Sequence, residues 1–170
     1  MNPIVRAYKK EDKQQVEALL NKFEDYLARL DDMKRLAFED KLSKEQYGKV
    51  YLVELNKKIK KNNGIIYIVE EKKIIMGFIA ATISKPNKIQ KIENKNKQLY
   101  GYIEELYLHE NIRGKGIGTL LIKKAEEYLK NKNCTCITIN VFAPNKKARG
   151  FYEKHGYIER GIEVMKEITQ

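Results

Sequence analysis

The segment from Arg113 to Gly118 has the residue types and spacing most suggestive of a chemical task. It joins an apolar run, Tyr102 to Leu108, to an amphipathic run, Ile117 to Leu129, which predicts a strand, a glycine-rich turn and a helix. Glycines at alternate positions allow a tight turn and a close backbone approach to a ligand. The N–H groups of such a turn favour an anion, and Arg113 and Lys115 add positive charge. The segment therefore predicts a pyrophosphate-binding site.

The spacing of the glycines separates the classes of phosphate-binding loop. A Walker A loop needs Gly-Lys-Ser/Thr after four intervening residues, whereas here Lys115 precedes Gly116. A dinucleotide-binding loop needs Gly-x-Gly-x-x-Gly, and Leu121 occupies the place of the third glycine. The spacing Arg113-x-x-Gly116-x-Gly118 instead resembles the acetyl-CoA signature of the GNAT superfamily of N-acetyltransferases.

A second motif downstream resembles the same superfamily. A β-branched run from Cys136 to Phe142 predicts a buried strand, and a turn and a short helix follow it. The helix and its end carry the pattern Asn145-x-x-Ala148-x-x-Phe151-Tyr152-x-x-x-Gly156-Tyr157. The resemblance covers about Ile65 to Glu159.

The elements that must position these motifs follow in an order that matches the GNAT fold. The predicted strands are Ile4–Ala7, Ile65–Glu70, Ile74–Ser84, Leu99–Leu108, Cys136–Phe142, Tyr157–Arg160 and Glu163–Ile168. The predicted helices are Asp12–Leu30, a helix capped by Ser43 and ended by Asn62–Gly64, Ile117–Leu129 and Lys146–His155. A polar loop spans Lys85 to Gln98. We expect a single α/β (α+β) domain over residues 1–170, with a twisted, mixed but mostly antiparallel sheet of about seven strands and helices on both faces.

The resemblance implies how acetyl-CoA, the co-substrate, would bind. In this fold the fourth and fifth strands splay apart, often helped by a bulge in the fourth, and the pantetheine arm pairs with the exposed edge. On this chain the edge would be the backbone of Leu106, Tyr107 and Leu108. The pyrophosphate would lie on the N–H groups of Arg113, Gly114, Lys115, Gly116, Ile117 and Gly118, with Thr119 just inside the helix. Asn145 would fix the arm from the other side, and Lys146, Lys147 and Arg149 are candidates for the adenine-end phosphate.

The resemblance also assigns chemical roles. Tyr152 would protonate the departing CoA thiolate, and a backbone N–H of Leu108 would stabilise the oxyanion. Successive strand residues face opposite sides, so only one of Glu104 and Glu105 can line the acceptor site unless a bulge intervenes. The resemblance favours Glu104 as the base, with Glu105 or water as alternatives. His109 is a candidate relay. No nucleophile with a base partner is evident in the sequence, so direct transfer to the amine is expected.

The sequence defines the acetyl acceptor less closely than it defines the co-substrate. The first helical region combines acidic and aromatic residues that could hold a cationic amine. They are Glu24, Asp25, Asp31, Asp32, Glu39 and Asp40, beside Phe23, Tyr26, Phe38, Tyr47 and Tyr51. A small-molecule amine is the first hypothesis, a peptide or protein amine is the second, and a non-catalytic module that binds acetyl-CoA or phosphate is the third.

Composition and charge limit the classes of partner, metal site and cellular compartment that the sequence predicts. The net charge of +11 comes from lysines spread along the chain, without a recognition helix or stacking motif, so no nucleic-acid partner is expected. No apolar run is long enough for a membrane span and no signal peptide is predicted. Cys134 and Cys136 have no zinc-ligand partners nearby, so no metal is expected and the thiols are interpreted as reduced, in a cytoplasmic protein. The oligomeric state is left open, with a homodimer as one option.

Overall fold

The computed structural model describes residues 3–31, 41–84 and 99–166 of the chain. The chain divides into two compact units, Met1–Asn140 and Val141–Gln170, and each is described by itself. The predicted loop from Lys85 to Gln98 lies outside the described residues. So do four of the predicted acceptor-side residues: Asp32, Phe38, Glu39 and Asp40.

The first unit contains all the strands of the described residues and three of the four α-helices. Its elements in chain order are β1 (Ile4–Ala7), α1 (Lys13–Ala28), α2 (Lys41–Lys61), β2 (Ile65–Glu71), β3 (Ile74–Ser84), β4 (Leu99–Leu108), α3 (Ile117–Asn131) and β5 (Cys134–Ile139). Short 3-10 turns at Lys10–Asp12 and Glu110–Ile112 precede α1 and α3. The second unit contains α4 (Lys146–Lys154).

The five strands form one mixed sheet in the order β1-β2-β3-β4-β5. The first four pair antiparallel, and β5 runs parallel to β4 at the edge. Between β3 and β4 the register shifts by one residue, because Ala80 pairs with Glu105 and Ala81 pairs with Ile103. Glu104 is therefore the extra residue of a β-bulge in β4, the strand in which the resemblance places one.

Helices cover both faces of this sheet. On one face, α1 and α2 pack their apolar stripes onto alternate strand residues, including Phe78 and Ala80. The opposite face carries α3, since a Cβ at Gly101 would meet the Leu129 side chain at 2.6 Å. At the start of the sheet Arg6 pairs with the buried Asp12 at 2.7 Å and also with Glu70, which fixes β1 to β2 and to the turn before α1. No helix of the described ranges is long and apolar enough to cross a membrane.

The fold class is confirmed, and several element boundaries need correction. The predicted bounds of β1, β3 and β4 match those in the structure. The second helix begins at Lys41, so Ser43 lies inside it instead of capping it. The fifth strand spans Cys134–Ile139 and ends before Phe142.

The predicted strands at Tyr157–Arg160 and Glu163–Ile168 are not formed over residues 157–166, so the sheet has five strands within the described ranges and not about seven. A strand needs a neighbour to satisfy its backbone groups, and alternation alone does not supply one. In that segment the apolar side chains of Ile158, Ile162 and Val164 are exposed, and none of them anchors a strand.

The tightest contact between α1 and α2 generates a stability prediction. Gly48 is buried in α2, and a Cβ there would lie 2.1 Å from the Glu17 carbonyl oxygen of α1. We expect Gly48→Ala to lower the free energy of unfolding by about 2 to 3 kcal/mol, because the helices must separate to fit the methyl group. Gly150→Ala is the control, because its Cβ would meet nothing within 4 Å and helix propensity favours alanine by about 1 kcal/mol. Urea denaturation measures both, and a Gly48→Ala variant as stable as the wild type would contradict the close packing.

Candidate active site

The edge of β4 that faces β5 is left open beyond the bulge. The pairing between the two strands ends at Ile103 and Ile139, while β4 continues to Leu108. Within the described strands, residues 104–108 therefore have a neighbour only on the β3 side. This is the separation of the fourth and fifth strands that the sequence predicts.

The register decides which residues of this edge present their backbone groups to it. The His109 N–H donates to the Met76 carbonyl at 2.8 Å, and backbone groups of an antiparallel strand alternate in direction. Tyr107 therefore directs its N–H and C=O at β3, and its buried ring packs against Phe23 with centroids 5.4 Å apart. Of the three predicted edge residues, only Leu106 and Leu108 offer backbone groups to the open side.

The glycine loop follows β4 and begins α3. Gly114 and Gly116 have φ angles of 74° and 78°, which L side chains rarely adopt, and a Cβ at either would meet nothing within 4 Å. These glycines are thus required for backbone conformation and not for space. Gly116 is the N-cap of α3 and has no side chain with which to cap the helix, and Thr119 lies in the first turn. Such a terminus favours an anion, as predicted for this loop.

Arg113 contacts the end of β4 and the aromatic rings of Tyr26 and Tyr107. Its backbone N–H donates to the Glu110 carbonyl at 3.2 Å, and its Nε donates to the Leu108 carbonyl at 2.8 Å. The guanidinium lies over the rings of Tyr26, at 4.8 Å, and Tyr107, at 5.6 Å. Arg113 therefore ties the end of β4 to α1, while Lys115 donates to the Asn111 carbonyl at 2.8 Å.

The bulge brings Glu104 and Glu105 to the same face of the sheet, beneath α2. The Glu104 side chain is only 6% exposed, and it accepts from Lys58 Nζ and from Thr82 Oγ1, each at 2.5 Å. Its charge is thus balanced by an ammonium group and its oxygens are engaged. Glu104 is thus held in an ion pair with Lys58.

Among the described residues, no ion pair to a cation is observed for Glu105. Its carboxylate accepts a short hydrogen bond from the Tyr51 hydroxyl, and the residue is partly buried. Burial raises the pKa of Glu105 to about 7, with the Tyr51 hydrogen bond opposing the shift and the negative charge of Glu104 adding to it. A carboxyl group with a pKa near neutrality can exchange a proton at physiological pH.

A second carboxylate–tyrosine pair lies next to the first. Glu24 of α1 is buried and accepts a hydrogen bond from Tyr47, whose ring stacks on Tyr51 with centroids 5.4 Å apart. Burial raises the pKa of Glu24 and of both tyrosines. We call Glu24, Tyr47, Tyr51 and Glu105 the carboxylate–tyrosine cluster; it joins α1, α2 and β4.

A groove of about 640 Å³ runs beside α2 and reaches this region. Tyr51 and Glu104 line it together with Glu54, Leu55, Lys57, Lys58, Lys61 and Asn62. Tyr51 is therefore the member of the cluster that faces the groove. Within the described residues, no group of three or more histidine, cysteine or acidic side chains could hold a metal ion.

The remaining predicted site residues belong to the second unit. Asn145 is buried and caps α4, with its side-chain oxygen accepting from the Ala148 N–H at 3.1 Å. Tyr152 is also buried, and its ring makes edge contacts with Phe151 and Tyr157. Arg149 pairs with Glu159, Nη2 to Oε1 at 2.6 Å. The roles predicted for Asn145 and Tyr152 stay predictions.

The family model described as the acetyltransferase (GNAT) family matches residues 27–157. The chain belongs to this family. Among curated relatives, an uncharacterized N-acetyltransferase of Methanocaldococcus jannaschii is 33% identical over 87 residues, 51% of this chain and 36% of that protein. Thialysine N-epsilon-acetyltransferase of Mus musculus is 42% identical over 52 residues, 31% of each chain. The matched part thus spans about a third of the length of these relatives.

Solved structures share the fold of this GNAT member. A predicted acetyltransferase with acetyl-CoA from Clostridium acetobutylicum superposes with a TM-score of 0.68 at 20% identity, covering 98% of this chain and 96% of that one. Glucosamine-6-phosphate N-acetyltransferase from Arabidopsis thaliana gives a TM-score of 0.62 at 19% identity, covering 99% and 100%.

Two contacts in this GNAT site are not evident from the sequence. Lys58 and Thr82 bind Glu104, and neither was a candidate. The available signal was the spacing of Tyr47, Tyr51 and Lys58, which lie four and seven residues apart on one face of α2. Tyr47 and Tyr51 are among the predicted acceptor-side residues, whereas Lys58 is not.

The raised pKa of Glu105 predicts a pH-dependent stability effect. A carboxyl group whose pKa is about 7 when folded and 4.5 ordinarily stabilises the folded state fully below pH 4.5, and this contribution is lost as the pH rises to about 7. Glu105→Gln removes this titration. The free energy of unfolding of the variant, relative to that of the wild type, should therefore rise by about 1 to 3 kcal/mol between pH 4.5 and 7 and then level off. Denaturation at pH 5 and 8 measures the change, with exposed Glu54→Gln as the control for losing one negative charge. A constant difference would show that Glu105 is not held near neutrality.

Proposed function

We propose that this GNAT protein transfers an acetyl group from acetyl-CoA directly to a primary amine of a small molecule. The observation that carries the proposal is β4 itself. One strand has an open edge at Leu106 and Leu108, leads into the glycine loop, and carries a carboxyl group whose pKa is near 7. Acetyl transfer to an amine needs these three features: a place for the thioester, a place for its pyrophosphate, and a proton acceptor.

The residues of the first unit fit acetyl-CoA, which supplies the activated acetyl group. Backbone groups of Leu106 and the N–H of Leu108 would hold the pantetheine arm, and the N–H groups at the start of α3 would hold the pyrophosphate. Gly114 and Gly116 give the loop the conformation that exposes these groups. Because Arg113 engages Leu108 and Tyr26, its contribution would be to hold the loop in place.

We assign proton acceptance to Glu105 in preference to Glu104. Both carboxyl groups lie on the α2 face, but Glu104 is paired with Lys58 and Thr82. An ammonium ion at the site would lose its proton to Glu105 and then attack as the neutral amine. Tyr152 remains the group proposed to protonate the departing CoA sulfur.

A cationic amine is the acceptor class that we propose. Glu24 and Glu105 with the rings of Tyr47 and Tyr51 provide negative charge and aromatic faces in one cluster. One relative is a thialysine N-epsilon-acetyltransferase, which supports the same class. Thialysine, lysine, a diamine, glucosamine 6-phosphate and a lysine-containing peptide form the first panel of acceptors, and preference for the peptide would favour a protein amine instead.

A matched pair of substitutions at Gly116 tests acetyl-CoA binding. Asparagine and aspartate both tolerate the left-handed conformation of Gly116 and differ in one negative charge. We expect Gly116→Asp to bind acetyl-CoA at least about ten-fold more weakly than Gly116→Asn, because the charge opposes the pyrophosphate. Calorimetry measures both affinities, and equal affinities would show that the pyrophosphate lies elsewhere.

The pH dependence of turnover tests the role of Glu105. The base must be ionised, so kcat/KM should fall about ten-fold per pH unit below a pH of about 7, the pKa of Glu105. We expect Glu105→Gln to lower kcat at least about 100-fold and Glu104→Gln to have a smaller effect. Release of CoA thiol with the acceptor panel measures turnover. A larger loss in Glu104→Gln would restore Glu104 as the base, and binding without turnover of any amine would favour the non-catalytic module.

A further inference from the structure

We propose that Tyr51 is a positioning residue. Its hydroxyl orients the Glu105 carboxylate and stabilises the ionised form, which accepts the proton of the acceptor amine. This inference rests on the proposed function and adds a residue of α2 to it. Tyr51 is the only residue for which a hydrogen bond to the Glu105 side chain is observed in the described part of the chain. It also lines the groove beside α2, so it lies between open space and the carboxylate.

The position of Tyr51 is itself fixed on two sides. Its ring stacks on Tyr47, with an interplanar angle of 26° and centroids 5.4 Å apart, and Tyr47 is bound to the buried Glu24. On α2 the two tyrosines are four residues apart, which places them on neighbouring turns of one face. Because α2 is held against α1 at Gly48, the Tyr51 hydroxyl is presented to β4 from a rigid helix pair.

The hydrogen bond from Tyr51 changes the pKa of Glu105 in a definite direction. A hydroxyl that donates to a carboxylate stabilises the ionised form, so Tyr51 lowers the pKa of Glu105 against the upward effect of burial. Other charged groups act on Glu105 as well. Glu104 of β4 and Glu24 of α1 raise its pKa, and Lys58 of α2 lowers it. Tyr51 is thus the contact that can be removed without changing a formal charge.

Tyr51→Phe is the first test. We expect the acid limb of the plot of kcat/KM against pH to shift to higher pH by about one unit. The value of kcat should fall, and the KM for acetyl-CoA should stay unchanged. Tyr47→Phe is the matched control on the same helix face. It removes the donor to Glu24, which favours the neutral form of Glu24, and it should therefore not move the acid limb upward.

Two further measurements separate positioning from simple structural support. The carboxyl ¹³C resonance of Glu105, assigned with Glu105→Gln, should titrate at higher pH in Tyr51→Phe than in the wild type. In the Glu105→Gln background, Tyr51→Phe should have no further effect on the pH profile. If Tyr51→Phe does not fold, 3-fluorotyrosine at position 51, a stronger donor, should move the acid limb downward.

The outcomes are distinct. An acid limb that moves upward in Tyr51→Phe, or downward with fluorotyrosine, supports the proposal. A lower rate with an unmoved limb and an unmoved Glu105 resonance overturns it, since that is the result of a packing defect alone. Lack of turnover by the wild type with every amine rejects the proposed function and this role with it, whereas wild-type turnover with an unmoved limb rejects only the role of Tyr51.

Discussion

The bulge that Glu104 makes in β4 is the constraint on which the candidate site depends. In a regular strand Glu104 and Glu105 would face opposite sides of the sheet. The extra residue turns both beneath α2, while Tyr107 keeps its place against Phe23 in the core. Pairing with β5 ends at Ile103, immediately before the bulge, so the same irregularity coincides with the start of the open edge. A bulge bends a strand and interrupts its ladder, which is why one residue can account for both features.

Two neighbouring carboxyl groups acquire different properties because their partners differ. Glu104 accepts hydrogen bonds from an ammonium group and a hydroxyl group. Burial is the main reason why the ionised form of Glu105 is disfavoured; the charge of Glu104 adds to this effect, and the hydrogen bond from Tyr51 opposes it. Adjacent carboxyl groups with different environments can have different roles, one as the partner of an ammonium group and the other as a proton acceptor.

Much of the first unit could be predicted from local signals. The β-branched residues of β3 and the aromatic and apolar residues of β4 predicted these two strands, and the alternating glycines predicted a turn in which Gly114 and Gly116 have positive φ angles. The lack of strands over residues 157–166 could not be predicted in the same way, because the alternation near Ile158 and Val164 indicates a strand but does not supply a partner for it. Arg113 shows a second limit, since a basic residue in a phosphate-binding loop can turn toward aromatic rings that are distant in sequence. The pairing of Glu104 with Lys58 likewise depends on how α2 crosses the sheet.

The basic loop and the acidic cluster can coexist because distance and local burial separate them. A strand rises about 3.3 Å per residue, so Glu105 and the end of β4 at Leu108 are about 10 Å apart, which is about the screening length at physiological ionic strength. The pKa of Glu105 is therefore set by its immediate neighbours and not by the positive charge of the glycine loop. The net charge of +11 and a carboxyl group held near neutrality are thus compatible in one chain. The proposed anionic co-substrate and the proposed amine acceptor would therefore approach different parts of the same strand.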